Sequence, residues 1–173
     1  KVCGRGTALL VMATGTGKTR LAIGLIYRLI KSNRFRRILF VVDRNALGEQ
    51  AGDKFKETRL EELKTFDQIY DLKDVYESEI ESTTKVKIAT VQALMHAIMY
   101  PSETREVPSV GQFDCIIVDE AHRGYTLDRE LSDEDLLYRN EKEYLSKYRR
   151  VIDYFDAVKI GLTATPAPHT VEI

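Results

Sequence analysis

The fold of this chain is decided by the stretch Thr7-Ala8-Leu9-Leu10-Val11-Met12-Ala13-Thr14-Gly15-Thr16-Gly17-Lys18-Thr19. Its first half is a short apolar run, which is typical of a strand buried on both faces of a sheet. The two glycines of its second half allow a tight turn in which successive backbone N–H groups point at one anion. Apolar residues then recur at helical spacing as far as Lys31, so the turn leads into a helix whose positive end faces the same anion. The stretch therefore predicts a phosphate-binding loop.

The residues of this loop predict ATP and Mg²⁺ as cofactors. Lys18 can bridge the β- and γ-phosphates of a nucleotide, and the Thr19 hydroxyl can bind Mg²⁺. The first position of the common phosphate-loop pattern is Met12 here instead of glycine. The alternative is a glycine-rich turn that carries a surface lysine. The predicted nucleotide-binding residues are Thr14, Gly15, Thr16, Gly17, Lys18, Thr19 and Arg20.

Strand-like and helix-like patterns alternate along the rest of the chain. Apolar runs predict strands at 37–42, 85–89, 113–118 and 157–164. Apolar residues at three- and four-residue steps predict helices around 47–55, 91–98 and 145–155. The alternation predicts an α/β fold in which a mainly parallel sheet is covered by helices on both faces, as one domain over residues 1–173. Ligands of such sheets bind beyond the carboxyl ends of the strands. The order of the strands is not readable from the sequence.

Two carboxylates follow the predicted strand at 113–118. Acids at the end of a buried strand are costly unless they meet a cation or face a cleft. Asp119 is the predicted Mg²⁺ ligand together with Thr19, and Glu120 is the predicted general base that polarises the attacking water. The alternative is simple termination of the strand. With Lys18, these two acids form the predicted catalytic set.

Three further residues are candidates for coupling to the nucleotide site. Thr163 and Thr165 lie at the same predicted edge of the sheet, where their hydroxyls can form a relay to the acidic motif. The alternative is that threonine serves its strand propensity there. His122 follows the two acids. From its chemistry alone, a structural role and a catalytic role are equally supported. No Cys/His spacing is typical of a zinc site.

Composition and charge exclude several classes of protein. The net charge is −1, so no overall basic field indicates a nucleic-acid partner. Binding to a nucleic acid through local contacts with its phosphates is not excluded. Two cysteines form no disulfide framework, and no apolar run approaches the about 18 residues that span a membrane. With no secretory leader, these features predict a cytoplasmic protein without a membrane partner. The basic stretch 31–37 is interpreted as a helix end at the sheet edge away from the ligand, and the acidic stretch 128–143 as an excursion that faces solvent or a partner.

The three motifs, in this order, resemble the first RecA-like lobe of superfamily 2 helicases and translocases. Asp119-Glu120-Ala121-His122 is similar to motif II of the DEAH type, and Thr163-Ala164-Thr165 is similar to motif III. Many helicase-type loops also lack the first glycine, as this one does at Met12. More specifically, residues 10–20, 42–44, 119–125 and 162–166 resemble the motor region of type I restriction enzyme R subunits (HsdR).

The resemblance implies an ATP-dependent motor lobe that translocates double-stranded DNA. Its partners would be a second RecA-like lobe and a nuclease domain of the same parent chain, with the methylase and specificity subunits of the restriction complex. It also implies contacts to the DNA backbone by Arg44, Thr90 and Gln92, for which helix capping is the alternative. Two other functions stay open: the lobe of another DEAH-type DNA or RNA helicase, and a nucleotide-binding module that is inactive without its second lobe. A P-loop enzyme that acts on small molecules is disfavoured.

Overall fold

The computed structural model describes residues 6–43, 45–61, 64–73, 80–100, 107–121 and 141–165. Strands and helices alternate along most of this part of the chain. The strands are β1 (Thr7–Val11), β2 (Ile38–Val42), β3 (Leu72–Lys73), β4 (Val86–Thr90), β5 (Cys115–Val118) and β6 (Val158–Thr163). The helices are α1 (Lys18–Lys31), α2 (Asn45–Glu57), α3 (Phe66–Ile69), α4 (Val91–Met99) and α5 (Glu141–Tyr154). None of the helices in these ranges is long and apolar enough to cross a bilayer.

The strands form one parallel sheet in the order β1-β6-β5-β2-β4-β3. All carboxyl ends therefore meet at one edge, where the loops after β1, β2, β4, β5 and β6 lie. The strand that leads into the phosphate loop is separated from the strand that leads into the acidic motif by β6 alone. This order places the two motifs close together across the sheet, as the sequence predicts for a shared site.

Alternate residues of the central strands point into two separate cores. Phe40, Ile88 and Ile117 face the core that α1, α2 and α3 cover, whereas Leu39 and Ile116 face the core that α4 and α5 cover. Every residue of β2, β4 and β5 is buried, as in other parallel sheets with helices on both faces. The predicted three-layer α/β arrangement is confirmed.

The prediction that β1 is buried on both faces is wrong. Leu9 and Leu10 are only half-buried, and Val11 is 51% exposed. The reason is the position of β1 at the end of the sheet, where β6 is its neighbour on one side and no strand in the described ranges lies on the other. An apolar run indicates a strand but not its place in the order.

Other differences concern elements that the sequence patterns did not indicate. The short helix α3 and the two-residue strand β3 were missed, because they are too brief to show a period. Gln68 fixes the start of α3 by accepting a hydrogen bond from the Thr65 N–H (3.0 Å). Helix α2 is continuous although its sequence contains Gly48 and Gly52, and both glycines are buried where the helix packs against the protein. Packing outweighs the low helix propensity of glycine here.

Arg37 joins three loops at the amino edge of the sheet. Its guanidinium donates to the carbonyl oxygens of Thr84 (3.1 Å), Glu81 (3.0 Å) and Gln112 (3.4 Å). The neighbouring carboxylate of Asp114 accepts the backbone N–H of Arg37 (3.2 Å). The basic stretch 31–37 therefore ends at the edge away from the phosphate loop, as interpreted from the sequence. Its last arginine holds the starts of β2, β4 and β5 together.

Replacing Arg37 by methionine is expected to lower the free energy of unfolding by about 2–4 kcal/mol, because the carbonyls of the buried Thr84, the half-buried Gln112 and the exposed Glu81 lose a charged donor. Arg36→Met is the matched control, since the Arg36 side chain is 92% exposed. We expect a change below about 0.5 kcal/mol for this control. Urea unfolding measures both variants, and equal losses in the two would show that Arg37 does not hold the strands.

Candidate active site

The phosphate loop has a backbone that requires its glycines. Gly15 has φ 79° and Gly17 has φ 91°, in the left-handed region that residues with a side chain rarely adopt. A Cβ at either position would meet no atom within 4 Å, so the backbone conformation is the constraint and space is not. Gly17 is also the N-cap of α1 and has no side chain that could cap it, and the first turn carries no acid. This helix end is suited to an anionic ligand.

The loop is open to solvent while its lysine is not. Thr14, Gly15, Thr16 and Gly17 are exposed, as is Arg20 in the first turn of α1. Thr16 stabilises the turn through its hydroxyl, which donates to the Ala13 carbonyl oxygen (2.6 Å). Lys18 is the exception, with 9% of its side chain exposed. The exposed backbone therefore surrounds a lysine that is held in place by the protein.

The acidic motif meets the lysine of the phosphate loop. Lys18 Nζ lies 2.6 Å from Glu120 Oε1, although 102 positions separate the two residues in sequence. The backbone of Asp119 continues beyond β5, since its N–H donates to the Val41 carbonyl oxygen (2.8 Å). Glu120 has φ 48°, a conformation that costs a residue with a side chain about 1 kcal/mol or more. Its N–H donates to Asp119 Oδ1 (3.0 Å), so the turn holds the Asp119 carboxylate while the Glu120 carboxylate contacts Lys18.

The electrostatics of this corner favour a bound cation. Burial, and then the charge of Glu120, raise the pKa of the Asp119 carboxyl above its usual value. The Glu120 N–H and the charges of Lys18 and Lys54 act in the lowering direction. A divalent ion beside Asp119 would offset the cost of holding two neighbouring carboxylates in their charged forms.

Thr19 and Asp119 fit Mg²⁺ rather than a metal held by protein ligands alone. Thr19 is half-buried in the first turn of α1, one residue after the lysine that reaches Glu120. In the part of the chain that the structure describes, no group of three or more His, Cys, Asp or Glu side chains could hold a metal. Mg²⁺ usually takes one or two protein ligands and completes its shell with phosphate oxygens and water. The donor set is therefore suited to Mg²⁺ that arrives with a nucleotide.

The two threonines at the end of β6, Thr163 and Thr165, form a turn next to the phosphate loop. The buried Thr163 hydroxyl donates to the Thr165 carbonyl oxygen and accepts the Thr165 N–H, both at 3.2 Å. The backbone of Thr163 accepts a hydrogen bond from the Met12 N–H (2.9 Å), which joins the end of β6 to the start of the phosphate loop. Because β6 lies between β1 and β5, the motif lies between the loop and the acids. A relay from the hydroxyls to Asp119 or Glu120 stays a prediction.

The three residues predicted to contact a nucleic acid differ in how the structure places them. Thr90 is 2% exposed, and its hydroxyl accepts the Ala93 N–H (3.1 Å) as the N-cap of α4, which confirms the capping alternative for this side chain. Gln92 lies half-exposed in the first turn of α4, at the carboxyl edge of the sheet. Arg44 and His122 lie outside the described residues. Contact with a nucleic acid stays a prediction for Arg44, Thr90 and Gln92.

Two features of the site were not predicted. The direct contact between Lys18 and Glu120 depends on the order of the strands, which the sequence does not reveal. The effect of Lys54 on the pKa of Asp119 comes from the exposed side of α2, where a lysine looks like any other solvated charge. No signal in the sequence distinguishes it.

The fold and this site define a helicase-like lobe of the RecA-like class. The model of a protein family matches residues 3–168, and its description is type III restriction enzyme, res subunit. The chain belongs to this family. With the relatives reported below, this match confirms the resemblance to restriction-enzyme R subunits that the motifs indicate, and the RecA-like α/β fold is confirmed as well.

Two curated relatives and three solved structures are similar to the chain. It is 52% identical over 172 residues to the type I restriction enzyme EcoKI endonuclease subunit of Escherichia coli (strain K12), covering 99% of this chain and 14% of the relative. It is 35% identical over 164 residues to the EcoAI endonuclease subunit of Escherichia coli, covering 94% of this chain and 17% of the relative. The chain thus spans a small part of these relatives.

The solved structures share the fold at low sequence identity. The helicase domain of Hef from Pyrococcus furiosus has a TM-score of 0.57 at 23% identity and covers 97% of this chain and 32% of that one. A fragment of a putative HsdR subunit of a type I restriction enzyme from Vibrio vulnificus YJ016 has a TM-score of 0.54 at 22% identity, covering 98% and 25%. The UvsW helicase of bacteriophage T4 has a TM-score of 0.51 at 20% identity, covering 93% and 47%.

Proposed function

We propose that this chain is the ATP-binding motor lobe of the R subunit of a type I restriction enzyme, which drives ATP-dependent translocation of double-stranded DNA. The observation that carries the proposal is the convergence of Lys18, Asp119 and Glu120 beside an open phosphate loop. The 52% identity to the EcoKI endonuclease subunit supports the choice of a restriction enzyme over other helicase-like proteins. Since its proposed substrate is DNA, we expect the protein to act in the cytoplasm.

Each residue of the site has a separate role in the proposed ATP hydrolysis. The backbone N–H groups of residues 14–19 and the end of α1 bind the phosphates, and Lys18 neutralises their charge. Thr19 and Asp119 would hold Mg²⁺, which supplies further charge stabilisation on the phosphates when it is bound. Glu120 accepts a proton from the attacking water as general base. Thr163 and Thr165 lie at the end of β6, which is joined to the phosphate loop. They would couple the state of the nucleotide site to the rest of the lobe.

Other parts of the proposed enzyme lie in other domains and subunits. A second RecA-like lobe would bring the arginine that stabilises transition-state charge, a contribution of about 10³–10⁵ in rate. DNA cleavage would belong to a nuclease domain, and target recognition to the specificity and methylase subunits. We therefore expect this chain alone to bind Mg·ATP and to hydrolyse it slowly.

The proposal is tested by the ATPase rate of a longer chain that carries both lobes, with duplex DNA, single-stranded DNA or RNA added. Duplex DNA is expected to raise the rate at least about tenfold, since a translocase hydrolyses ATP only on its track. The 173-residue chain alone should show a slow rate without stimulation. Stimulation by RNA alone would favour the motor of another DEAH-type helicase. Rapid DNA-independent turnover by this chain, abolished in Glu120→Gln, would contradict the need for a second lobe.

A further inference from the structure

A cluster of exposed cations lies at the amino edge of the sheet, away from the proposed nucleotide site. It consists of side chains at the end of α1 and in the segment before β2, and we call it the amino-edge patch: Arg28, Lys31, Arg34 and Arg36. In the part of the chain that the structure describes, Arg28 and Arg34 form no ion pair. Lys31 pairs with the exposed Glu61, and solvent screens such a pair strongly. The patch therefore presents cations that an outside anion can reach.

The backbone turn after α1 brings the two halves of the patch together. Asn33 has φ 53°, a left-handed conformation that is common one residue beyond the end of a helix. Its N–H donates to the Ile30 carbonyl oxygen (2.9 Å), and the Arg34 N–H donates to the Leu29 carbonyl oxygen (3.0 Å). The chain therefore folds back on the helix end, and Arg34 lies beside the last turn of α1, which carries Arg28.

The segment before β2 separates side chains that the fold uses from side chains that it leaves outside. Phe35 packs against the core, and the Arg37 guanidinium donates to three carbonyl oxygens. Arg34 and Arg36 are exposed, and the Arg36 side chain is 92% exposed although its Nε lies 3.5 Å from Asp114 Oδ2. Packing thus accounts for Phe35 and Arg37 but not for the two arginines next to them.

The negative end of the helix dipole accounts for only part of the patch. Cations in the last turn of a helix are stabilised by this dipole, which applies to Arg28 and Lys31. The effect falls off within that turn, so it does not extend to Arg34 and Arg36. Residues 31–34 are all polar and all exposed, whereas the centre of a protein interface is usually apolar and aromatic. The composition of the patch therefore suits a highly charged anion better than a folded protein.

We propose that the amino-edge patch binds the phosphate backbone of duplex DNA, as a second contact apart from the loops at the carboxyl edge of the sheet. The inference rests on the proposed function, which brings duplex DNA to this lobe. A duplex carries about one charge per 1.7 Å of its axis, so several phosphates can meet the patch at once. Most members of the patch are arginines, whose guanidinium groups donate paired hydrogen bonds to phosphate oxygens. Such contacts hold DNA without reading its sequence.

The patch is too far from the nucleotide site to be part of it. Strands β2 and β4 have five residues each, and five residues of a parallel strand span about 17 Å. This length separates the patch from Gln92, which lies at the carboxyl edge. A duplex at the patch therefore leaves the phosphate loop open, and the DNA stays attached when contacts at the carboxyl edge are released.

Binding of a fluorescently labelled duplex to the 173-residue chain tests the inference, measured by anisotropy over a range of salt concentrations. The double variant Arg28→Gln with Arg34→Gln removes the two cations that form no ion pair. We expect it to bind the duplex about tenfold more weakly, with a salt dependence that is smaller by about two phosphate contacts. The double variant Arg28→Lys with Arg34→Lys keeps both charges and should keep the salt dependence of the parent.

Two arginines on the opposite face of the sheet provide the matched control. Arg149 and Arg150 are exposed on α5, which packs against the other core than α1 does. The double variant Arg149→Gln with Arg150→Gln changes the net charge by the same amount, and its affinity for the duplex should stay within about twofold of the parent. Nucleotide affinity and the urea midpoint are expected to equal those of the parent in both glutamine variants, since all four side chains are exposed and lie away from the phosphate loop.

Three results would overturn the inference. Equal losses in the two glutamine variants would assign DNA binding to overall charge, and parent-like binding in the Arg28 and Arg34 variant would show that the patch does not meet DNA. Weaker binding of polyglutamate by that variant, with duplex binding unchanged, would assign the patch to an acidic protein instead. The proposed function stands in all three cases, because it depends on the ATPase rate of a chain with both lobes. A rate that duplex DNA does not raise contradicts the function, whatever the patch binds.

Discussion

Lys18→Ala is expected to weaken the binding of Mg·ATP and Mg·ADP by at least about 100-fold, because the phosphates lose a buried cation at short range. Lys18 is the one charged side chain of the loop and first helical turn that is buried, whereas Arg20 in the same turn is exposed. Titration of the chain with a fluorescent nucleotide measures the loss. Equal affinities in the variant and the parent would remove the phosphate assignment altogether.

A lysine at the other end of the same helix provides the control for this prediction. Lys31 ends α1 and is 54% exposed, and its ammonium pairs with the exposed Glu61. Lys31→Ala removes the same charge from the same helix, but at the edge of the sheet away from the loop. We expect its nucleotide affinity to stay within about twofold of the parent, because solvent screens charges at this distance.

Glu120→Gln is expected to lower the DNA-stimulated rate of ATP hydrolysis by about 10²–10⁴-fold while nucleotide binding is retained. The amide is similar in shape but cannot take a proton from water, so the chemical step is lost while the phosphate loop keeps its backbone and Lys18. Single-turnover hydrolysis in a chain with both lobes separates this step from nucleotide binding.

The neighbouring acid distinguishes a base from a metal ligand. Asp119→Asn is expected to weaken the dependence of nucleotide binding on Mg²⁺, which Glu120→Gln should leave in place. Glu61→Gln removes an exposed carboxylate and should not change the rate. A Glu120→Gln enzyme with the parent rate would show that another group activates the water.

The parts of the fold that could be predicted from the sequence are those with a strong local pattern. Helix α1 begins at Lys18 and ends at Lys31 as predicted, because its apolar stripe is continuous and its start is fixed by glycine. The central strands were recognised since they are apolar throughout. The burial of β1 was predicted wrongly, because its sequence does not show that it has a neighbour on one side only.

The site could be predicted as a set of residues but not as a geometry. The residue types at Lys18, Asp119 and Glu120 indicate phosphate, metal and proton chemistry in any order of strands. That Glu120 meets Lys18 directly depends on β6 lying between β1 and β5, and on the left-handed backbone at Glu120. Neither follows from a local pattern, since the positive φ at Glu120 is set by the turn, in which the preceding Asp119 N–H donates to the Val41 carbonyl oxygen.

The carbonyls that Arg37 holds give the lobe a mechanical asymmetry. At one rim of the sheet the guanidinium and the Asp114 carboxylate fasten the beginnings of β2, β4 and β5 to one another. At the other rim, residues 14–17 of the exposed loop make no comparable contact with another strand among the described contacts, and the loop is held at its two ends through Met12 and Lys18. In the proposed motor lobe, force that arises at the nucleotide rim is therefore expected to pass along β2, β4 and β5 to a rim where these strands are bound to one another.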